Sequence, residues 1–175
     1  GSSVSLSSDG KVVAIGAPSN SHKWGGSGHV RIYQNVSGTW TQVGADIDGE
    51  RANDKSGLSV SLSDDGSIVA IGAPNNDGNG EGRGHVRIYQ NVSGTWTQVG
   101  SDIDGEAVAD SSGWSVSLSS DGSVVAIGAY LNEGMGANDN ILNSFGNIGH
   151  VRIYKNVNND WVKVGADIDG EAALD

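Results

Sequence analysis

One acidic motif occurs three times in the chain and carries most of its candidate chemistry. Each copy reads Asp-Ile-Asp-Gly-Glu, followed by three residues and a further Asp, so that carboxylates fall at relative positions 1, 3, 5 and 9. Alternate residues of a tight loop can point toward one centre, and Ca²⁺ binds several oxygen ligands in flexible geometry. The motif therefore predicts bound calcium, and the alternative is an Asx-type turn that only connects two strands. The predicted ligands are Asp46, Asp48, Glu50, Asp54, Asp102, Asp104, Glu106, Asp110, Asp167, Asp169, Glu171 and Asp175.

A second pattern, His-x-Arg-x-Tyr, also recurs in every copy of the repeat, as His29, Arg31 and Tyr33 in the first. A functional interpretation makes the histidines a metal or ligand cluster. The structural interpretation is a polar network between repeats, in which Arg31 pairs with a carboxylate of the acidic motif. Residues that recur in every repeat usually serve the repeat, so the structural interpretation is favoured. No Gly-x-Ser-x-Gly elbow stands on a strand-to-helix turn, and the sequence predicts no catalytic residue.

The composition excludes several classes of function. The chain has 175 residues with 28 Gly, 2 Pro and no Cys, which is typical of many short strands joined by tight turns. Its net charge of −11 argues against nucleic acid and against an anionic membrane surface, because both need clustered Lys and Arg. The longest apolar runs are too short to span a bilayer, so no membrane insertion is expected.

Internal repetition determines the predicted organisation. Gly1, Gly57 and Gly113 open three equivalent units, which cover residues 1–56, 57–112 and 113–175. The third unit has nine additional residues between its second and third strands. Each unit predicts four strands, at 4–7, 12–17, 29–34 and 40–43 in the first, followed by the acidic motif.

Such units predict an all-β fold of three four-stranded antiparallel β-propeller blades. The three blades would be half of a six-bladed ring or a segment of a larger propeller. A β-trefoil, which also has three units of four strands, is the alternative.

The motifs around the second strand resemble a known repeat. Gly-x-Ser-Val-Ser-Leu-Ser precedes that strand, Gly16-Ala17-Pro18 follows it, and Gly28-His29-Val30-Arg31-Ile32-Tyr33 comes next. This order resembles the FG-GAP repeat, which builds the β-propeller head of integrin α chains and of many surface proteins. The resemblance implies a propeller in an extracellular or cell-surface protein. It does not extend to that family's calcium loop, because the hairpin that carries the loop is only Ser8-Asp9-Gly10 here.

Residues that depart from the repeat are the candidate ligand contacts, because variation on a repeated scaffold is where recognition usually lies. Trp24 and Trp114 have no equivalents in the other units, and the loop before the third strand varies most. In the third unit this loop includes Tyr130, Met135 and Phe145. Asn35 and Asn91 begin Asn-Val-Ser glycosylation sequons at a predicted exposed hairpin.

The sequence therefore predicts a non-enzymatic extracellular propeller module for adhesion, for protein or glycan binding, or for surface or filament assembly, stabilised by calcium. The alternative is a carbohydrate-active propeller enzyme, a glycosidase or a lyase. Since three blades leave two blade faces uncovered, we expect a head-to-tail dimer, a longer assembly or further repeats in the same chain.

Overall fold

The computed structural model describes residues 1–21, 25–78, 80–132 and 148–171, and within these ranges the chain consists of three antiparallel β-sheets. The first sheet contains β1 (Ser3–Leu6), β2 (Val12–Ala17), β3 (His29–Val36), β4 (Thr39–Gln42) and β5 (Ile47–Asp48). The second contains β6 (Ser59–Leu62), β7 (Ile68–Ala73), β8 (His85–Val92), β9 (Thr95–Gln98) and β10 (Ile103–Asp104). The third contains β11 (Ser115–Leu118), β12 (Val124–Ala129), β13 (His150–Val157), β14 (Asp160–Lys163) and β15 (Ile168–Asp169).

Each sheet has the topology of a propeller blade, and the propeller prediction is confirmed. The first four strands of a sheet pair in sequence order, and the short fifth strand pairs with the start of the third. The first strands of neighbouring sheets contact each other, so β1, β6 and β11 lie along the inner side of the array. We refer to the sheets as blades 1, 2 and 3. The trefoil alternative is not observed, because the strands form three separate sheets.

The short fifth strand was not predicted, and the acidic motif is therefore not a loop throughout. Ile47 pairs with Val30 and Asp48 pairs with His29 on β3, and β10 and β15 repeat this register. The pairing sets the second carboxylate of each motif directly across from the histidine that opens the third strand.

The core lies between the blades rather than within them. Ala14, Val30, Ile32 and Ile47 of blade 1 pack against Val60, Leu62, Val69 and Ile71 of blade 2. An equivalent cluster joins blade 2 to blade 3. Burial of this apolar surface is the main force that holds consecutive blades together. The second strand of blade 2 is buried from Val69 to Ala73, because it has a neighbouring blade on each side.

Polar contacts repeat at both junctions and fix the blades in register. The indole N–H of Trp96 donates to Val43 O at 2.9 Å, and that of Trp161 donates to Val99 O at 2.8 Å. Gly72 sits where a Cβ would overlap the carbonyl oxygen of Gly113 in the next blade. The glycine of the Gly-Ala-Pro sequence therefore permits the close backbone approach of two blades.

The loops that differ between units share one end of the blades with the acidic connections. The loop from the second to the third strand bonds directly to the connection that leads to the next blade. Asn53 N donates to Gly25 O and Ser56 N donates to Ser27 O, each at 2.9 Å. In the part of the chain that the structure describes, no helix is long and apolar enough to cross a membrane.

Candidate functional site: polar clusters and a cleft between the blades

The first carboxylate of the acidic motif binds the arginine of its own blade in blades 1 and 2, whereas Asp167 of blade 3 pairs with Lys163 and lies 3.6 Å from Arg152 Nε. Asp46 receives hydrogen bonds from Arg31 Nε at 2.9 Å and from Arg31 Nη2 at 2.8 Å, a bidentate pair. The Arg31 guanidinium lowers the pKa of Asp46 to about 2. Asp102 makes the same bidentate pair with Arg87, with both bonds at 2.9 Å.

The glutamate of the motif crosses to the next blade. Glu50 forms an ion pair with Arg87, and Glu106 forms one with Arg152. Arg87 therefore lies between a carboxylate of its own blade and one of the preceding blade, and its side chain is only 16% exposed. The predicted polar network between repeats is present, and the arginines supply positive charge where the sequence analysis expected calcium.

The last aspartate of the motif lies elsewhere and stabilises the connection. Buried Asp54 accepts hydrogen bonds from Arg51 N at 2.8 Å and Glu50 N at 3.1 Å. It also accepts one from Asn76 Nδ2, in the variable loop of the next blade, at 3.1 Å. Asp110 repeats these contacts with Ala107 N and Asn132 Nδ2. This arrangement is an Asx-type turn that also joins two blades.

In the two motifs that the structure describes in full, the four carboxylates do not meet at one point. Instead, the described residues contain three clusters of a histidine with two carboxylates, with ligand atoms within 4.8 Å of one another. They are His29, Asp46 and Asp48; Glu50, His85 and Asp102; and Glu106, His150 and Asp167. Asp169 and Glu171 are exposed at the end of the described chain, and Asp175 lies outside the described residues. Calcium binding by these acids stays a prediction.

His85 is the most enclosed titratable group of the middle cluster. Its Nδ1 lies 3.6 Å from Asp102 Oδ2, and the side chain is 5% exposed. Burial, together with the nearby Arg87 charge, lowers the pKa of His85 below its ordinary value. The folded state therefore favours the neutral imidazole.

A cleft of about 350 Å³ opens beside this cluster, between the outer strands of blades 2 and 3. Its lining combines three carboxylates with two aromatic side chains. The lining residues are Ser101, Asp102, Ile103, Asp104, Tyr154, Asp160 and Trp161. Aromatic rings beside carboxylates suit a carbohydrate, because the apolar faces of sugars pack on rings while their hydroxyls donate to carboxylates.

Two carboxylates of this cleft have pKa values displaced in opposite directions. Burial raises the pKa of Asp104, and the negative charge of Asp102 adds to the effect. For Asp102, burial acts in the same direction, but hydrogen bonds from Arg87 and Gln98 outweigh it and lower the pKa. Neighbouring acids with separated pKa values can act as proton donor and as permanent negative charge, respectively.

Asp160 makes this cleft differ from its counterpart between blades 1 and 2. It stands where the first two units have Thr39 and Thr95, so its carboxylate is not required by the repeat. Tyr154 was recognised from the sequence only as the tyrosine of the third His-x-Arg-x-Tyr pattern, and neither Asp160 nor Trp161 was predicted as a site residue. The departure of Asp160 from the repeat was the available signal.

The structure describes some of the predicted ligand-contact residues and both asparagines of the glycosylation sequons. Trp114 and Tyr130 lie against each other, with ring centroids 4.2 Å apart and planes tilted by 43°, and both are exposed. Trp24, Met135 and Phe145 lie outside the described residues. Asn35 and Asn91 are half-buried and use their side-chain oxygens to accept from Gly38 N and Gly94 N, each at 2.7 Å, which closes the hairpins.

Comparison with known proteins gives structural similarity only. No family model and no curated protein sequence matches the chain. Candidate 6-phosphogluconolactonases from Bacteroides uniformis and Bacteroides fragilis each align with 98% of the chain at 14% identity and a TM-score of 0.60. The Kuenenia stuttgartiensis hydrazine synthase aligns with 97% at 10% identity and a TM-score of 0.52. The chain spans 41%, 39% and 36% of these three structures, respectively.

These similarities correct the predicted function. The inference from repeated blades to a non-enzymatic module was wrong, because the solved structures that share these blades are described as lactonases and a synthase. Identity this low shows the fold and leaves the chemistry to be argued from the site. The FG-GAP resemblance and the extracellular location stay predictions.

Proposed function

We propose that the chain is part of a β-propeller enzyme that hydrolyses a neutral carbohydrate in the cleft between blades 2 and 3. The observation that carries the proposal is a cleft lined by three carboxylates and two aromatic rings, in which burial and hydrogen bonding displace the pKa values of Asp102 and Asp104 in opposite directions. Glycoside hydrolysis uses this division of roles, in which one acid donates a proton and other carboxylates stay ionised.

The cleft residues divide the reaction among them. Asp104, the carboxyl group with the raised pKa, donates its proton to the leaving oxygen as the glycosidic bond breaks. Asp102 stays ionised through its bonds with Arg87, and its charge stabilises the positive charge that develops on the sugar ring. A water molecule attacks the anomeric carbon, and Asp160 accepts the proton that this water loses. Trp161 and Tyr154 form the aromatic wall on which the sugar packs.

The charge of the cleft selects among carbohydrates. No Lys or Arg is among the described lining residues, and Asp102 and the proton acceptor Asp160 are negatively charged in the reacting state, so a phosphorylated or otherwise anionic sugar is repelled. The structurally similar candidate lactonases act, by their description, on a phosphorylated sugar lactone. The substrate class proposed for this chain is instead a neutral glycoside, with a neutral sugar lactone as the second substrate to test.

The test is turnover of neutral aryl glycosides, neutral oligosaccharides, a neutral sugar lactone and a phosphorylated lactone by the 175-residue chain. Hydrolysis of a neutral substrate is expected, with the rate reduced about 100-fold or more in Asp104→Asn, since general acid catalysis typically contributes this much. Asp160→Thr, which restores the residue of the other units, should also lose activity. Asp48→Asn changes the equivalent acid of blade 1 and is the matched control.

Two results would overturn the proposal. One is that no neutral carbohydrate is turned over by the folded wild-type chain. The other is that Asp104→Asn and Asp160→Thr hydrolyse the substrate at the same rate as the control variant Asp48→Asn.

A further inference from the structure

The outer faces of blades 1 and 3 expose residues whose equivalents are buried at the internal junctions. Val4 and Leu6 on β1 are 68% and 59% exposed, whereas Val60 and Leu62 on β6 are 9% and 7% exposed. On the opposite side of the array, Ile168 is 57% exposed, whereas its equivalent Ile103 is 5% exposed. The two faces are thus the two halves of one blade junction, separated by the length of the array.

The polar groups of that junction are also divided between the two faces. At internal junctions the blade tryptophan donates to the preceding blade at Val43 O and Val99 O. Two residues at positions equivalent to these partners do not make this hydrogen bond within the described ranges: Trp40 on blade 1, which is 45% exposed, and Val164 on blade 3. Ser59 Oγ likewise donates to Gly113 O at 2.8 Å, and the corresponding pair across the two open faces would be Ser115 and Gly1.

The ionic contact of the junction is split in the same way. Arg87 and Arg152, which receive the glutamate of the preceding blade, are 16% and 6% exposed, whereas the side chain of Arg31 is 43% exposed. Glu171 holds the matching position on blade 3 and is exposed. The two open faces therefore carry complementary charges at corresponding positions.

The cluster around His29 lacks the glutamate that the other two clusters contain, as far as the structure describes the chain. The clusters at the two internal junctions contain the glutamate of the preceding blade, Glu50 with His85 and Glu106 with His150. Among the described residues, the cluster of His29 contains only acids of its own blade, and buried His29 Nδ1 has no hydrogen-bond partner. A glutamate from another blade 3 would complete it.

We propose that the 175-residue chain, as a separate molecule, pairs with a second copy that covers both faces, with blade 3 of each copy packed on blade 1 of the other to give a closed pair of six blades. Glu171 of each copy pairs with Arg31 of the other, in the geometry of Glu50 with Arg87. Trp40 donates to Val164 O of the other copy, and Val4, Leu6 and Ile168 become buried. Closure satisfies both faces at once, which is how a head-to-tail contact avoids open-ended growth. This inference rests on the blade junctions and does not depend on the proposed activity.

Charge reversal tests the contact between Glu171 and Arg31, because a closed pair predicts that two variants which dimerise poorly alone dimerise when they are mixed. Arg31→Glu alone places two carboxylates against each other at both junctions, and Glu171→Arg alone places two guanidinium groups there. Each variant should dimerise about tenfold or more weakly than the wild type, since like charges at an interface oppose association. In an equimolar mixture of the two variants, one junction is wild type and the other has the reversed pair, so dimerisation should return.

The readout is mass by light scattering and sedimentation over a dilution series, with circular dichroism to verify the fold. The wild type should have twice the chain mass of 17.9 kDa. Arg51→Glu makes the same change of charge in an exposed connection where the second unit has Ala107, and it should dimerise as the wild type does. Since Glu171 is exposed, Glu171→Arg keeps the test valid if Arg31→Glu fails to fold.

A folded wild type that is monomeric at every concentration would overturn the proposal, and so would polymers that grow with concentration. Dimers that neither reversal weakens, or a mixture that dimerises no better than the single variants, would also overturn the assignment of these faces.

Discussion

Glu50 in the connection that leaves blade 1 forms an ion pair with Arg87 on the third strand of blade 2. Arg87 also makes a bidentate pair with Asp102 of its own blade. Arg152 likewise lies between Glu106 of the preceding blade and Asp167 of its own, with its Nε 3.6 Å from Asp167 Oδ1. The acidic motif thus connects consecutive blades electrostatically as well as covalently. Each arginine offsets the repulsion between two carboxylates that the fold brings together.

Removal of this arginine should destabilise the chain. In Arg87→Met the aliphatic part of the side chain is kept, but Glu50 and Asp102 lose their cation at a largely buried position. We expect the free energy of unfolding to fall by about 2–3 kcal/mol, somewhat less than for a fully buried pair because Glu50 is partly exposed. Urea denaturation measures the change. Arg51→Met removes an exposed arginine of the same connection, and an equal loss in that control would contradict the role given to Arg87.

Gly72 and Gly128 allow a test of the close approach between blades. A Cβ at Gly72 would overlap the carbonyl of Gly113 in blade 3, whereas a Cβ at Gly128 meets only Ser115 of its own blade within the described chain. Gly72→Ala should therefore lower the free energy of unfolding by about 1–3 kcal/mol through overpacking, and Gly128→Ala by less when both variants are measured as dilute monomers, because a second copy would bring its Gly1 against Gly128. Thermal and urea unfolding of the two variants decide the matter. Equal losses would show that crowding within one blade, by Ser59 or Ser115, dominates.

The pH dependence of hydrolysis follows from the two cleft acids. Activity requires ionised Asp102, whose pKa is lowered, and protonated Asp104, whose pKa is raised. The rate should therefore be highest at mildly acidic pH and should fall as pH rises through the raised pKa of Asp104. A pH profile of kcat/KM measures this. A rate that keeps rising toward alkaline pH would be inconsistent with a carboxylic acid as proton donor.

His85 should make the stability of the folded chain depend on pH below about 6.5. Its pKa in the folded chain lies below the ordinary value of 6.5, so below about pH 6.5 the unfolded chain binds a proton that the folded chain does not. The free energy of unfolding should thus fall as pH decreases from 6.5 toward the pKa of the folded state. Urea midpoints over this range measure the slope, and His85→Gln should reduce it. An unchanged slope in His85→Gln would assign the effect to other groups.

Calcium binding gives a prediction that can be tested without mutation. If the acids of the blade connections hold Ca²⁺, EDTA should lower the Tm, and Ca²⁺ should restore it better than Mg²⁺, which holds its waters more tightly. Melting curves by circular dichroism decide this. A Tm unaffected by EDTA and by added Ca²⁺ would mean that Arg87 and its equivalents alone balance the acidic charge.

The repeated units, their strands and their antiparallel order could be predicted from the sequence, because each depends on local periodicity. The alternation in 4–7, the apolar run at 12–17 and the Asp-Gly turn between them are short-range signals. The short strand β5 could not be predicted in this way. Ile47 and Asp48 form a strand only because His29 and Val30, far back in the chain, offer free backbone groups at the edge of β3.

The composition of the candidate site could not be predicted from local sequence either, because tertiary packing decides which side chains meet there. The even spacing of the acidic motif was visible in the sequence, but its assignment to one metal ion assumed that the four carboxylates turn toward one centre. Packing of the next blade instead draws Glu50 to Arg87 and Asp54 to Asn76, whereas Asp46 stays with Arg31. The cleft likewise combines Asp102 and Asp104 of one unit with Tyr154, Asp160 and Trp161 of the next. Local sequence determined which groups each blade carries, and the burial of apolar faces between blades decided which of those groups meet.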